Sequence, residues 1–277
     1  MKKIIRNIII KSSFLNRQFT NMKKTIAKLI NRIDRFLHIN FDFLNLNKPG
    51  QFNKNYEWIY KYIESEKVDL SKKTFIEVGS RDVLDSLDLV SKFNFLKAYA
   101  FEPSHIGIKE AIKNLRQNIV FSEKIILFPF ALGDENSIVS LYESTHICKE
   151  HIKPNIGSSS IFAEDTENNF QYEVPILKLD SLDINFLNNY MIIMDCEGSE
   201  YSVLKGADLA LKYSKYVCME SDYTRETGNC VDIKELLETK GYKLIDCDWP
   251  NTSKGNLPDK VEVGKNQFNI FFRNEKL

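Results

Sequence analysis

Lys73-Thr-Phe-Ile-Glu-Val-Gly-Ser-Arg-Asp82 contains a short apolar strand that runs into a turn with one glycine. The amphipathic segment 83–93 follows and predicts a helix, and a second apolar strand, 96–101, ends in Phe101-Glu-Pro103. A strand, a helix and a second strand of this kind indicate a βαβ unit with parallel strands. We therefore expect an α/β protein built outward from this unit.

The same alternation continues along the chain. Helices are predicted from 103 to about 115, from about 200, and over 233–240; further strands are predicted at 125–132, 190–194, 216–219, 242–246 and 268–272. No helix separates the last two strands, which favours an antiparallel hairpin at the sheet edge. The predicted fold is a Rossmann-like, doubly wound α/β domain with a mostly parallel seven-stranded sheet and an antiparallel edge hairpin.

One region interrupts the alternation. Between about 134 and 182 the sequence predicts extended segments at 137–142 and 172–179, separated by a polar stretch that contains Gly157-Ser-Ser-Ser160. We interpret it as an insert in a domain that spans residues 51–277. The break Lys48-Pro49-Gly50 separates this domain from an N-terminal extension, residues 1–50, which is predicted to be helical.

The extension differs from the rest of the chain in charge. Residues 1–40 contain ten basic side chains and one acidic side chain, although the whole chain has 38 of each. The predicted helix of the extension has an apolar stripe flanked by lysine and arginine. Two interpretations are open: the stripe packs on the domain or a partner, or the helix binds an anionic membrane surface through residues 1–47. No apolar segment is long enough to span a bilayer and no secretion signal is complete, so we expect a cytoplasmic protein, in the second case associated with the inner face of the membrane.

The five cysteines form no CxxC pair, which argues against a zinc site and against a disulfide framework. We expect no metal site from the spacing of ligands, and the use of a divalent metal and the oligomeric state stay open.

Candidate cofactor residues lie where the predicted strands end, because open parallel sheets bind ligands beyond the carboxyl ends of their strands. Glu102, at the end of the second strand, is placed to accept hydrogen bonds from both hydroxyls of a ribose. A dinucleotide site would need the pattern GxGxxG, and only one glycine is present, so S-adenosylmethionine fits better than NAD. The predicted cofactor-binding residues are Glu77, Gly79, Ser80, Arg81, Glu102, Ala131 and Asp195.

A second acidic motif, Asp195-Cys-Glu-Gly198, follows the strand 190–194. If this segment stays extended, Asp195 and Glu197 share one face and could orient or deprotonate a hydroxyl, so both are the predicted catalytic residues. The alternative is that Glu197 or Ser199 caps the following helix. Candidate substrate residues are His146, His151, Ser159 and Glu220.

Seven short motifs resemble those of the FkbM-type methyltransferases. They occur in the family's order: Ile76-Glu-Val-Gly-Ser80, Ala100-Phe-Glu-Pro103, Ala131-Leu-Gly-Asp134, Gly157-Ser-Ser-Ser160, Leu179-Asp-Ser-Leu182, Asp195-Cys-Glu-Gly198 and Val203-Leu-Lys-Gly-Ala207. The resemblance implies S-adenosylmethionine as donor and O-methylation of sugar or polyketide-like hydroxyls, with Glu77, Gly79 and Glu102 at the cofactor. The chain departs from the family at Glu77, where aspartate is usual, and at Val83, where a second glycine is usual.

These observations predict an S-adenosylmethionine-dependent O-methyltransferase that acts on a hydroxyl-bearing small molecule or glycan, as in polysaccharide biosynthesis. The alternative is a weak or inactive methyltransferase-like domain that serves as an interaction or membrane-tethering module in glycan assembly. Nucleic acid is not expected as a partner, because the chain outside the N-terminal extension is acidic.

Overall fold

The computed structural model of the chain describes residues 57–148, 151–161, 169–222, 228–249, 252–258 and 267–277. The predicted basic extension, residues 1–50, and its expected membrane contact through residues 1–47 lie outside this part of the chain. Within the described ranges no helix is both long enough and apolar enough to cross a membrane.

Strands and helices alternate through most of the described domain. The strands are β1 Thr74–Val78, β2 Lys97–Phe101, β3 Ile125–Phe128, β4 Ala131–Leu132, β5 Ser137–Cys148, β6 His151–Ser160, β7 Asn169–Leu177, β8 Asn189–Met194, β9 Tyr216–Asp222, β10 Tyr242–Cys247 and β11 Gln267–Asn274. The α-helices are α1 Glu57–Ser65, α2 Leu84–Phe93, α3 His105–Gln117, α4 Ile119–Ser122, α5 Glu200–Lys205, α6 Asp208–Tyr213 and α7 Cys230–Lys240, with short 3-10 helices at Leu70–Lys72, Leu179–Ser181 and Phe186–Asn188.

The main sheet has seven strands in the order β10-β11-β9-β8-β1-β2-β3. β1 pairs in parallel with both β2 and β8, and β11 runs antiparallel to its neighbours β9 and β10. This confirms the predicted Rossmann-like sheet with an antiparallel pair at its edge. The chain passes outward from β1 to β3 on one side and from β8 to β9 on the other, so the switch point lies between β1 and β8.

Apolar side chains cover both faces of this sheet. Ile76 and Met194 belong to the core on one face, whereas Phe75 and Ile193 belong to the core on the other. Every residue of β1 and β8 is buried, as expected for central parallel strands with helices on both faces. The two central strands therefore form a fixed base for residues that follow their carboxyl ends.

The insert forms a second sheet, in the order β4-β7-β5-β6. One prediction at the start of this region was wrong. The expected strand 125–132 is divided between the two sheets, because Pro129 has no N–H and interrupts the backbone ladder. The polar stretch around Gly157-Ser-Ser-Ser160 belongs to β6, where pairing with β5 supplies the backbone hydrogen bonds and the edge position tolerates polar side chains.

Close backbone contacts fasten the insert to the main domain. A Cβ added to Gly206, just after α5, would lie 1.9 Å from the carbonyl oxygen of Gly133 at the root of the insert. Next to it, Asp134 accepts a hydrogen bond from the Ser202 hydroxyl (2.7 Å) and forms an ion pair with Lys205 (2.7 Å). The insert therefore leaves the main sheet from a rigid root.

Candidate active site

A cleft lies at the carboxyl ends of β1, β2 and β8, at the switch point of the main sheet. The cleft contains roughly 830 Å³ of empty space, part of it open to solvent. The insert sheet contributes one wall through Leu141, Ser159 and Ile161. Ala131 and Leu132 of β4, in the same sheet, also line it. The other lining residues are Val78, Gly79, Ser80, Arg81, Asp85, Phe101, Glu102, Pro103, Ser104, Gly107, Phe130, Asp195, Cys196, Glu197 and Ser199.

Gly79 joins the ends of three strands. It has φ +78°, and its N–H and that of Ser80 both donate to the carbonyl oxygen of Phe101 (2.9 Å each). On the other side, a Cβ at position 79 would lie 1.9 Å from the carbonyl oxygen of Asp195. A side chain at this position would push the two motifs apart, so glycine is required both by the left-handed backbone and by the close approach.

Glu102 is the buried acid of the cleft, with 6% of its surface exposed. Its Oε2 accepts a hydrogen bond from the N–H of Arg81 (2.7 Å) and its Oε1 accepts one from the N–H of Ser104 (2.8 Å). Burial raises the pKa of Glu102 to about 7, although both backbone donors and Arg81 favour the ionised form. Each oxygen keeps a lone pair, so the carboxylate can accept two further hydrogen bonds from a ligand.

Ser80 supplies an additional polar group. Its hydroxyl is buried and makes no hydrogen bond to any of the described residues. Buried hydroxyls are ordinarily paired, and an unpaired one in a cleft wall is the arrangement expected where a ligand completes the site. Ser80 and Glu102 together therefore fit a nucleoside.

Arg81 is the basic residue of the same wall. Its backbone is left-handed (φ +49°), and its Nε lies 3.6 Å from the Oδ1 of Asp82. Burial opposes the charge, but the carboxylates of Asp82, Asp85 and Asp195 raise the pKa of the guanidinium. Arg81 and Asp85 place opposite charges at one part of the cleft.

Glu77, predicted to bind cofactor, does not line the cleft. Its side chain is 3% exposed and accepts a hydrogen bond from the hydroxyl of Ser86 in α2. Burial, and then the charge of Asp85, raises its pKa well above the usual range. The reason is strand alternation, because Glu77 shares the face of Phe75, which packs in the same core as α2.

Asp195 and Glu197 both line the cleft, but not through an extended strand. β8 ends at Met194, the chain turns over 195–198, and Glu197 has a left-handed backbone (φ +48°). Ser199 makes no side-chain cap; the carboxylate of Glu200 accepts hydrogen bonds from the N–H groups of Cys196 (2.9 Å) and Gly198 (3.3 Å) instead. The turn, held by Glu200, brings both predicted catalytic side chains to the cleft.

The environment of Asp195 suits a general base. Burial and the nearby charge of Glu200 raise its pKa to about 6, while Arg81 lowers it. Glu220, in the second half of β9, does not line the cleft; burial and the charge of Asp195 raise its pKa to about 8. Near neutral pH, Asp195 is thus mainly ionised and Glu220 mainly protonated. Among the described residues, no group of three or more potential ligands is arranged to hold a metal ion.

The three predicted substrate residues of the insert do not all lie at the cleft. Ser159 lines the cleft, and its neighbour Ser160 donates a hydrogen bond to the carbonyl oxygen of Glu197 (2.8 Å). His151 lies in the same strand eight residues earlier, opposite Cys148, which corresponds to about 25 Å along an extended strand. The backbone of His146 lies on the neighbouring strand, and both histidine side chains fall outside the described part.

Several cleft residues were not predicted. Phe130, Leu141 and Ile161 line the cleft, but they are ordinary apolar residues with no local signal of function. Their neighbour Ala131 was predicted and also lines the cleft. Asp85 could have been suspected, since it is an acid in the first turn of the helix that follows the glycine turn.

Comparison with known proteins identifies one family. A family model described as "Methyltransferase FkbM domain" matches residues 77–244, more than half of the chain. No curated protein matches the sequence.

Solved structures of several methyltransferases are similar to this chain. Methyltransferase FkbM from Methylobacillus flagellatus KT is 17% identical, with 76% of this chain and 46% of that chain covered and a TM-score of 0.49. The N-terminal domain of human METTL16 in complex with SAH is 12% identical (78% and 67% covered, TM-score 0.41). An S-adenosylmethionine-dependent methyltransferase from Clostridium acetobutylicum ATCC 824 is 11% identical (90% and 98% covered, TM-score 0.42). The chain thus matches less than half the length of the Methylobacillus protein.

Proposed function

The chain belongs to the FkbM methyltransferase family, as its motifs predicted, and from this premise we propose that it transfers a methyl group from S-adenosylmethionine to a hydroxyl group of a sugar, glycan or natural product. The observation that carries the donor assignment is Glu102, a buried carboxylate with two free lone pairs in a cleft at the switch point of the sheet. NAD is disfavoured because a single glycine cannot form the pyrophosphate cradle of GxGxxG.

The cleft has groups that match the ribose and both charged groups of the methionine part of the donor. Glu102 accepts hydrogen bonds from the ribose hydroxyls, and the unpaired hydroxyl of Ser80 lies in the same wall. Arg81 carries the charge that pairs with the carboxylate of the methionine part, and Asp85 carries the charge that pairs with its ammonium group. When bound, S-adenosylmethionine supplies an electrophilic methyl group on a sulfonium.

The residues of the chain align the acceptor and remove its proton. Methyl transfer to an alcohol is an in-line displacement, so most of the acceleration comes from holding the acceptor oxygen in line with the methyl carbon. Asp195, which follows β8 beside the Gly79 turn, accepts the proton of the hydroxyl as the new carbon–oxygen bond forms. Glu197 and Ser159 lie at the same end and orient the hydroxyl-bearing substrate.

The test begins with the donor. Isothermal titration of the full chain with S-adenosylhomocysteine and S-adenosylmethionine, with NAD as a negative ligand, is compared between wild type, Glu102→Ala and Glu173→Ala. Glu173 is an exposed acid of β7, so its replacement controls for the loss of one negative charge. Loss of two hydrogen bonds to a charged group predicts a decrease in affinity of at least about 100-fold for Glu102→Ala and almost none for Glu173→Ala.

Other outcomes would change the assignment. If folded wild-type protein binds neither sulfur nucleoside, the methyltransferase proposal is wrong and the interaction-module alternative replaces it. If Glu102→Ala binds as tightly as wild type, the donor is held elsewhere. After donor binding is established, transfer of radiolabelled methyl to a panel of sugars and hydroxylated natural products identifies the acceptor class.

A further inference from the structure

A second buried acid lies next to Glu102 but belongs to the insert. Glu143 of β5 is 6% exposed, and its Oε1 accepts hydrogen bonds from the hydroxyl of Ser104 (2.7 Å) and from that of Tyr172 on β7. The cleft lining does not include Glu143, so it has no direct place in the proposed chemistry. A carboxylate is costly to bury, and its retention at this junction calls for a specific role.

Ser104 connects the two carboxylates. It is the N-cap of α3, where its hydroxyl oxygen accepts a hydrogen bond from the N–H of Gly107 (3.0 Å). Its own N–H donates to Glu102 (2.8 Å), while its hydroxyl donates to Glu143 (2.7 Å). One residue at the start of α3 is therefore bonded to the donor-site acid and to the insert acid at the same time.

Tyr172 fastens the insert to the same turn of α3. Its hydroxyl oxygen accepts a hydrogen bond from the N–H of His105 (2.9 Å), and its ring stacks on the imidazole of His105 with 4.2 Å between the centroids. Tyr172 also lies opposite Leu141, which lines the cleft. The position of the cleft wall and the position of the first turn of α3 are thus set by the same contacts.

We propose that Glu143 is a positioning residue that couples the seating of the insert sheet to donor binding at Glu102, through Ser104. This inference rests on the proposed function, since it takes Glu102 as the acid that holds the ribose. The insert wall carries Ser159 at the acceptor end, so the same link makes donor binding and acceptor enclosure interdependent.

The link has an electrostatic consequence. Burial and, to a smaller extent, the negative charge of Glu143 raise the pKa of Glu102 to about 7, against the effects of the backbone donors and of Arg81. The ionised form is the better acceptor for two hydroxyl donors, so affinity for the nucleoside should fall as the pH falls through this range. The titratable and charged side chains at this part of the cleft and at its junction with the insert are Arg81 from the glycine turn, Asp85 from α2, Asp195 after β8, Glu143 and Tyr172 from the insert, and His105 from α3.

The experiment measures the dissociation constant of S-adenosylhomocysteine between about pH 5.5 and 8.5 by calorimetry. In Glu143→Gln, which keeps the shape but removes the charge, we expect the midpoint of the pH dependence to move down by on the order of one unit. Gln171→Ala is the control: Gln171 is exposed, lies on the face of β7 opposite to Tyr172 and donates a side-chain hydrogen bond to the hydroxyl of Ser140, so its replacement should leave the midpoint unchanged. In a Glu102→Gln background, Glu143→Gln should no longer shift the pH dependence.

An unchanged midpoint in folded Glu143→Gln, with wild-type affinity, would overturn the inference while leaving the proposed function intact. Failure of wild type to bind would instead remove the proposed function. If Glu143→Gln does not fold, Tyr172→Phe decides: it loses a donor to Glu143 and the acceptor of His105, and we expect affinity to fall several-fold relative to Gln171→Ala. Equal affinities for these two variants would also overturn the inference.

Discussion

Gly79→Ala tests whether the cleft is built on the contact between two strand ends. Alanine at this position must adopt φ near +78°, which costs an L-residue roughly 1–2 kcal/mol. Its Cβ would also lie 1.9 Å from the carbonyl oxygen of Asp195, so the backbone after β8 must move. Overpacking of this kind adds about 1–3 kcal/mol, and the total loss of stability should be about 2–5 kcal/mol.

Gly255 offers a matched control. It also has a left-handed backbone (φ +81°), but a Cβ there would meet nothing closer than the carbonyl oxygen of Leu244 at 3.5 Å, an ordinary contact. Gly255→Ala should therefore lose only the backbone cost of roughly 1–2 kcal/mol. Thermal unfolding measures the difference, since each kcal/mol shifts the Tm of a domain of this size by roughly 2–4 °C. If Gly79→Ala were no less stable than Gly255→Ala, the close approach of residues 79 and 195 would be refuted.

Two further predictions concern a cap and a base. The carboxylate of Asp180 accepts hydrogen bonds from the N–H groups of Leu209 (2.7 Å) and Ala210 (3.1 Å) at the start of α6, so Asp180→Ala should reduce the free energy of unfolding by about 1–2 kcal/mol in chemical denaturation. Asp183 is exposed, and Asp183→Ala should change the free energy of unfolding little. Equal losses for the two variants would contradict the role of Asp180 as a cap. Because the pKa of Asp195 is raised to about 6, methyl transfer in a radiolabel assay should decline as the pH falls through that value. Asp195→Asn should bind S-adenosylhomocysteine normally but transfer the methyl group far more slowly at all pH values. Near-normal turnover of Asp195→Asn would exclude Asp195 as the base.

The strands of the main sheet, and the acidic residues that follow their carboxyl ends, were predictable because short local sequence patterns indicate them. An apolar run of five or six residues that ends in an acid or a glycine is visible without knowledge of the fold, and Glu102 and Asp195 were found in this way. Strand alternation also contained the information that Glu77 turns away from the cleft, since Phe75 and Glu77 share one face. Which of the two faces α2 would cover depends on tertiary packing, so the motif alone placed Glu77 at the cofactor.

The insert was not predictable to the same extent. Its strand β6 is held by pairing with β5 and has no apolar pattern of its own over Gly157-Ser-Ser-Ser160. Glu143 falls in a region that the sequence treated as part of an irregular insert, and its meaning depends on Ser104, 39 positions earlier. Contacts between such distant positions have no local signature, which is why the coupling of the two carboxylates emerges only from the fold.

Several family motifs serve the fold and do not touch the cleft. Gly206, within Val203-Leu-Lys-Gly-Ala207, allows the backbone to approach Gly133, and Asp134 is bonded to Ser202 and Lys205. Asp180 supplies the cap of α6 from outside that helix, whose own N-cap residue makes no side-chain bond. A sequence motif marks a position with a strict requirement, and in these motifs the requirement is a cap or a close backbone contact and not a catalytic group.

At Val83 the backbone keeps a conformation that suits glycine, although the residue is a valine. It occupies the position where the family usually has a second glycine, and its backbone is left-handed (φ +58°), which is unfavourable for a β-branched residue. Its side chain is fully buried, so burial offsets the strain. At most sites glycine is less stable than alanine by roughly 0.5–1 kcal/mol. Here the order should reverse: both replacements lose the two buried γ-methyl groups, but only Val83→Gly also relieves the left-handed strain of roughly 1–2 kcal/mol. Urea unfolding of the two variants measures this order, and greater stability of Val83→Ala would show that the turn does not keep the glycine conformation.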